Sequence, residues 1–232
     1  MTMQTITTDD VKAVKGRGFL HNRGTDGFSA RVVTANGIVT AEQVRALADI
    51  AERFGNGTVT LTTRQSFELQ GVVFANLDAF TAAVEAVGLC VGGTGPKVRP
   101  IVACKGTTCP CGLVDTFSLA GKLHERFYRG WHDVKLPGKF KIAVGGCPNN
   151  CVKPNLNDLG VVGCVLSGGK RGYRVLLGGH WGRTGDAGRE VATFSTEDEV
   201  LAFVEKALVF YRDNGLPGER FFKTMARVRF EA

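Results

Sequence analysis

Two groups of cysteines hold most of the chemistry this sequence can perform. The first is Cys104-Lys-Gly-Thr-Thr-Cys109-Pro-Cys111. The second, preceded by Gly145-Gly146, is Cys147-Pro-Asn-Asn-Cys151. Two pairs of thiolates brought together from distant loops can hold one metal centre, and an all-thiolate set selects zinc or an iron–sulfur cluster. Structural zinc favours a two-residue gap within each pair. The wider gaps here suit a larger cluster, and on spacing alone a cluster, zinc and buried free thiols all remain open. Gly and Pro beside the sulfurs allow close backbone approach and set turns. Cys90 and Cys164 lie in apolar stretches and read as small core residues. The total of seven cysteines is odd, which favours reduced thiols or metal ligands over disulfides.

Charge follows the sulfur. The formal net charge is +7 over 232 residues. Residues 1–85 carry eight Lys and Arg against nine Asp and Glu, and residues 86–232 carry twenty-one against thirteen. The basic part also contains every cysteine. Such a bias favours an anionic ligand or an acidic protein partner. No aromatics interleave with the basic residues, which argues against nucleic acid. The start, MTMQTITTDDVKAVKGRG, is polar and lacks the apolar stretch of a signal peptide. No apolar run is long enough to span a bilayer, so a soluble cytoplasmic protein with no membrane partner is expected.

The elements that must position these residues follow from periodicity. Residues 28–34 alternate loosely as a strand and end at Asn36-Gly37. Thr40 can cap a helix through about Phe54, with Ala41, Val44, Leu47, Ala48 and Ala51 on one face. Thr58–Thr62 and Ser66–Gly71 read as strands, and Asn76 to Val87 as a second helix. This β-α-β-β-α order is that of a split ferredoxin-like unit. A Gly-rich link at Gly92–Pro96 follows. Val98–Ala103 and Phe140–Val144 read as strands, each running into one cysteine group. Leu113 to about Phe127 looks helical. Further strands are expected near Gly160–Leu166 and Tyr173–Leu177. Thr196 and Glu199 form a capping box for a helix to about Tyr211, and the last residues suggest another helix. The expected class is α+β, with one unit over 1–87 and a second over 88–232.

The segments ACKGTTCPCGLVDT and GGCPNNC resemble the cluster signature of the sirohaem-dependent sulfite and nitrite reductases. Three other segments agree: Leu61-Thr62-Thr63-Arg64-Gln65 resembles the family's L-T-T-R-Q strand, Leu136-Pro137-Gly138-Lys139-Phe140-Lys141 its L-P-x-K-F-K, and Arg31 precedes Asn36-Gly37-Ile38-Val39-Thr40 as an anion-contacting arginine does there. The resemblance runs from about residue 28 to about residue 185. It implies a ferredoxin-like βαββα half-domain followed by an α+β domain for sirohaem and a [4Fe–4S] cluster. Carried over, Cys104, Cys109, Cys147 and Cys151 are the cluster ligands, and Cys151 bridges to the sirohaem iron. The family's usual first spacing falls between those offered by Cys109 and Cys111. Cys109 is preferred, because Cys-Pro-Cys-Gly-Leu then matches the family's continuation, and Cys111 stays open.

The resemblance further implies that Arg31, Arg64, Lys139 and Lys141 act on the bound oxyanion. Arg31, Arg64, Arg99, Asn149, Cys151 and Arg183 are then the cofactor-binding set; Arg99 is the weaker match, since Pro100 stands where an Asn is common. Lys139 and Lys141 flank Phe140, so on a strand both point to one side. The implied activity is multi-electron reduction of sulfite to sulfide, with electrons from an acidic ferredoxin or flavodoxin. Nitrite reduction to ammonia and a non-catalytic electron-transfer protein are the alternatives. Larger relatives contain the unit twice, whereas this chain has it once, so a homodimer sharing its sites is a further expectation.

Overall fold

The computed structural model describes residues 6–231. The first residues of the polar start lie outside the described range. The chain forms two compact units, Met1–Gly95 and Pro96–Ala232. That division falls later than the 87/88 joint expected from sequence, because strand β5 (Cys90–Val91) pairs antiparallel with β2 and so belongs to the first unit.

In the first unit, β2 (Gly27–Val33) lies beside β4 (Phe67–Val73), which lies beside β3 (Val59–Leu61). The other edge of β2 takes β1 (Phe19–His21) and β5 end to end, all antiparallel. Helices α2 (Ala41–Phe54) and α3 (Leu77–Ala86) pack against β4 and each other. The expected capping at Thr40 is present, as a full box: its hydroxyl accepts the Gln43 N–H, and Gln43 accepts the Thr40 N–H. Phe19, Phe28, Leu47, Leu69, Phe80 and Val84 form the centre of this core. Sequence reasoning missed β1 and the leading helix α1 (Thr8–Lys15), a short element that buries only Val14. A strip that narrow leaves little periodic signal.

The second unit is one sheet in the order β10-β9-β8-β7-β6. Its strands are β6 (Val102–Ala103), β7 (Ile142–Gly145), β8 (Leu159–Val165), β9 (Arg171–Leu177) and β10 (Arg189–Phe194). The first three in the chain run parallel, β9 runs antiparallel to β8, and β10 antiparallel to β9. Helices α4 (Thr116–Leu123) and α5 (Glu197–Asn214) pack along the sheet, and α6 (Phe221–Arg227) packs on α5. Helix α4 starts later than the expected Leu113. Asp115 caps it through the N–H groups of Phe117 and Ser118, while Leu113 donates its N–H to the Gly146 carbonyl instead. The helix then widens into a π-helical stretch, His124–Arg129. Among the described residues, no helix is long and apolar enough to cross a membrane.

His124 in that stretch is buried and stacked on Tyr128 at 5.0 Å. Burial pushes its pKa below the ordinary imidazole value, with the Arg129 charge acting in the same sense and Glu125 opposing. A histidine that resists protonation when folded makes the unfolded chain the better proton binder in acid. Stability is therefore expected to fall as pH drops through the ordinary histidine range, from about 7 toward about 5, and to level off once native His124 protonates. A thermal-melt series against His124→Phe checks this: the variant should lose less of its melting temperature over that window.

Candidate functional site

Parallel pairing brings the starts of the two cysteine loops, Cys104 and Cys147, to the same end of the sheet. Val102 and Ala103 pair with Ala143 and Val144, so β6 and β7 end at the same edge of the sheet. The chain leaves β6 directly into Cys104 and leaves β7 through Gly146 into Cys147. The Cys104 N–H continues the ladder to the Val144 carbonyl at 3.1 Å. The Gly146 N–H then donates to Cys104 Sγ at 3.1 Å, joining the two cysteine loops at a sulfur atom.

Glycine makes this closure possible. Gly106 sits at φ +50°, and a Cβ there would lie 2.4 Å from Thr116 Oγ1. That hydroxyl donates to the Cys104 carbonyl at 2.6 Å, so it cannot move aside freely. A Cβ on Gly112 would lie 2.3 Å from the Gly106 carbonyl oxygen, closer than real contacts allow. Cys109 is held on both sides, its N–H on the Gly106 carbonyl and its carbonyl under the Gly112 N–H, each at 2.9 Å. Cys104, Cys109 and Cys147 are half-buried, whereas Cys111 and Cys151 are exposed. Asn149 is exposed in the second loop, and its neighbour Asn150 has a buried Oδ1 with no hydrogen-bond partner among the described residues. Among the described residues, no three His, Cys, Asp or Glu side chains converge closely enough to bind a single metal ion. Cys164 is buried in β8, and burial raises its thiol pKa; Cys90 is half-buried in β5.

The lysine motif lies just before β7, which begins at Ile142 and not at the expected Phe140, and only an isolated bridge at Phe140 extends the pairing to it. Val98 pairs in parallel with Phe140, and the Arg99 N–H donates to the Phe140 carbonyl at 2.8 Å. Phe140 is fully buried against Tyr211 and Phe221, with half-buried Lys139 and Lys141 on either side. Burial, followed by the charges of Arg220 and Arg99, holds the Lys139 amine below the ordinary lysine range, with Asp158 opposing. Arg220 and Asp158 belong to no motif and were missed from sequence. Both are distant along the chain, and only the fold brings them to this segment.

In the first unit, Arg31 stands directly opposite Glu68 on β4, and its Nη2 donates to Glu68 Oε2 at 2.8 Å. Its Nε is buried and has no hydrogen-bond acceptor among the described residues. Arg64 is in the turn between β3, which stops at Leu61, and β4, which starts at Phe67, within the gap expected between the two strands. The reason is local. Thr62 Oγ1 accepts the N–H groups of Arg64 and Ser66, each at 3.3 Å, and Gln65 takes φ +54°. Thr34 Oγ1 donates to the Gln65 carbonyl at 2.6 Å and fastens the turn to the loop after β2.

Arg183 lies in an exposed Gly-rich loop after β9. His180, at the base of that loop, stacks on Phe222 at 3.8 Å and exchanges backbone hydrogen bonds with Asp186.

Comparison with known proteins assigns both parts of the chain. Residues 94–231 match the nitrite and sulphite reductase 4Fe-4S domain, and residues 21–87 match the nitrite/sulfite reductase ferredoxin-like half domain. The coenzyme F420-dependent sulfite reductase of Methanocaldococcus jannaschii is 37% identical over 123 residues, covering 53% of this chain and 19% of that protein. The ferredoxin–nitrite reductase of Leptolyngbya laminosa is 30% identical over 201 residues, covering 83% of this chain and 39% of that protein. The solved NirA protein of Mycobacterium tuberculosis shares the fold, with a TM-score of 0.82 at 18% identity over 96% of this chain and 45% of that one. The chain spans less than half the length of these curated relatives. With the ferredoxin-like half domain and the 4Fe-4S domain both matched, and in that order, the chain belongs to the nitrite and sulphite reductase family.

Proposed function

We propose that this chain holds a [4Fe–4S] cluster next to a sirohaem and reduces sulfite to sulfide with electrons from a small acidic carrier protein. The observation that carries this reading is the meeting of two cysteine loops at one sheet edge, with the Gly146 N–H on Cys104 Sγ. N–H donors to cluster sulfurs are a main lever on cluster potential. The donor set therefore fits: thiols from both loops, a glycine-lined closure and an N–H already aimed at a sulfur. Cys104, Cys109, Cys147 and Cys151 would hold the cluster. Cys109 is favoured over Cys111 because it is half-buried and fastened on both sides, whereas Cys111 is exposed. Arg31, Arg64, Arg99, Asn149 and Arg183 would hold the sirohaem carboxylates, and the orphaned Arg31 Nε suits that task.

When bound, the cluster and sirohaem would supply single-electron transfer to the anion. The protein's own part is to gather positive charge and to supply protons. Arg31, Arg64, Lys139 and Lys141 bind and orient the oxyanion. Lys139, held below the ordinary lysine range, releases a proton from Nζ more readily than a solvated lysine would. The basic excess of residues 86–232 suits an acidic donor, and Lys105 and Lys153 are exposed next to Cys104 and near Cys151.

Likeness to the sulfite reductase of M. jannaschii favours sulfite, and nitrite is the second reading on the strength of the nitrite reductase relatives. Steady-state kcat/KM for both anions with a reduced ferredoxin tests the choice. A higher value for nitrite would overturn the sulfite reading. The reading includes a twofold homodimer in which each site draws residues from both subunits. Mixing a Lys139→Ala/Lys141→Ala variant with a Cys151→Ser variant should then recover about a quarter of wild-type turnover, as statistical pairing gives. No recovery would mean self-contained sites.

A further inference from the structure

We infer that Asp158 and Arg220 are positioning residues for the Lys139–Lys141 segment that leads into β7, a role that rests on the anion chemistry proposed above. Asp158 is fully buried at the head of β8. One carboxylate oxygen accepts the Lys141 N–H at 2.9 Å. The same carboxylate accepts Arg220 Nη2 at 3.0 Å and 3.2 Å. The Lys141 carbonyl accepts the Leu159 N–H at 3.1 Å. The backbone of Lys141 is thus held at both its donor and its acceptor, by residues 158 and 159.

The segment leading into α6 supplies the second hold. Phe221, next to Arg220, packs edge-on against Phe140 at 4.9 Å. The Gly218 N–H donates to the Pro137 carbonyl at 2.8 Å. A Cβ on Gly138 would lie 2.6 Å from the Glu219 carbonyl oxygen, so only glycine lets the two segments approach this closely. Lys139, Phe140 and Lys141 are therefore fixed in turn by residues that no sequence motif includes.

The pair also sets the field at the lysines. A lone buried carboxylate would draw Lys139 toward itself, and a lone buried guanidinium would expel charge from the pocket. Together they oppose one another at Lys139, Arg220 lowering its proton affinity and Asp158 partly offsetting that. The charged groups facing Lys139 are Arg220, Arg99 and Asp158. Lys141 lies two residues along the same segment, and Tyr211 and Glu219 stand behind the pair.

The test uses the holoprotein. Competitive acetylation over a pH series, read by mass spectrometry, reports when each lysine amine becomes reactive, with the other lysines as internal controls. Asp158→Asn keeps the shape and removes the negative charge, so Lys139 should become reactive at lower pH than in wild type. Arg220→Gln removes the repelling charge, so Lys139 should become reactive only at higher pH. Arg220→Lys should stay close to wild type. Simple loosening of the fold would expose Lys139 and move it toward the ordinary lysine value in both variants, so shifts of the same sign, or no shifts, would overturn the inference. If Arg220→Gln does not fold, Asp158→Asn and Arg220→Lys decide the matter by the same criteria. Sulfite affinity, measured by spectral titration, should weaken about tenfold in Asp158→Asn, the loss expected for one charge-assisted contact. Labelling needs no turnover. A wild type that binds no sulfite but shows the opposed Lys139 shifts would sink the sulfite reading and still support the positioning pair.

Discussion

Replacing Cys147 by serine should give a folded protein that has lost most of its iron and at least about a thousandfold in turnover, because each thiolate removed from a closed cluster site costs much of its binding free energy. The fold should survive, because Cys147 is half-buried in a loop and the sheet beneath it is held by the parallel ladders of β6, β7 and β8. Iron per chain and the visible spectrum of anaerobically purified protein measure the loss directly. Cys104→Ser should be as severe, since it also removes the sulfur that accepts the Gly146 N–H. Cys111→Ser and Cys164→Ser provide the contrast and should keep their iron. If Cys111→Ser loses iron and Cys109→Ser keeps it, the ligand assignment reverses. If all four ligand variants keep wild-type iron and colour, no cluster is held where we place it.

Gly163→Ala should destabilise the protein by about 3 kcal/mol and disturb the cluster loops from behind. Gly163 lies inside β8, opposite Tyr173 on β9. A Cβ there would sit 2.4 Å from the Gly146 carbonyl oxygen and 2.8 Å from Val114 Cγ2. The first of these is backbone, and the same carbonyl accepts the Leu113 N–H at 2.8 Å. The methyl group therefore has to displace the peptide that links both cysteine loops. Chemical denaturation gives the stability change, and iron content of the folded fraction gives the effect on the site. A variant with wild-type stability and full iron would show that the Gly146 peptide can move without cost. Gly168, which has nothing within 4 Å of its would-be Cβ, lies at φ +78° and serves as a control for strain alone.

These two experiments probe different kinds of information. The two cysteine groups were readable from residue type and spacing, which left a cluster, zinc and free thiols open; the ligand set we propose came from the family resemblance. The flanking elements were readable as well. Helix α2 showed a periodic apolar face and a Thr-Gln capping box, and the core strand β8 and the helix α5 showed comparable patterns. Signals of this kind are local, since they depend on neighbours within a turn or two of the chain. The gap left between Thr62 and Ser66 was local too, and there the hydroxyl of Thr62 makes the turn that carries Arg64. Local signals failed at α1, β1 and β10, which bury too little side chain to leave a pattern.

Composition and spacing thus pointed to an α+β chain with paired cysteine loops, a basic second part and a Lys-Phe-Lys segment, which the structure places just before β7 and not in a strand. Tertiary structure decided which groups meet. The parallel register of β6 and β7 put Cys104 under Gly146, and β8 brought Gly163 against that peptide. Asp158 and Arg220 reached Lys139 and Lys141 only through the packing of β8 and the segment before α6. The reason is that hydrogen bonds and charges act through space over a few ångströms, and a sequence records only neighbours along the chain.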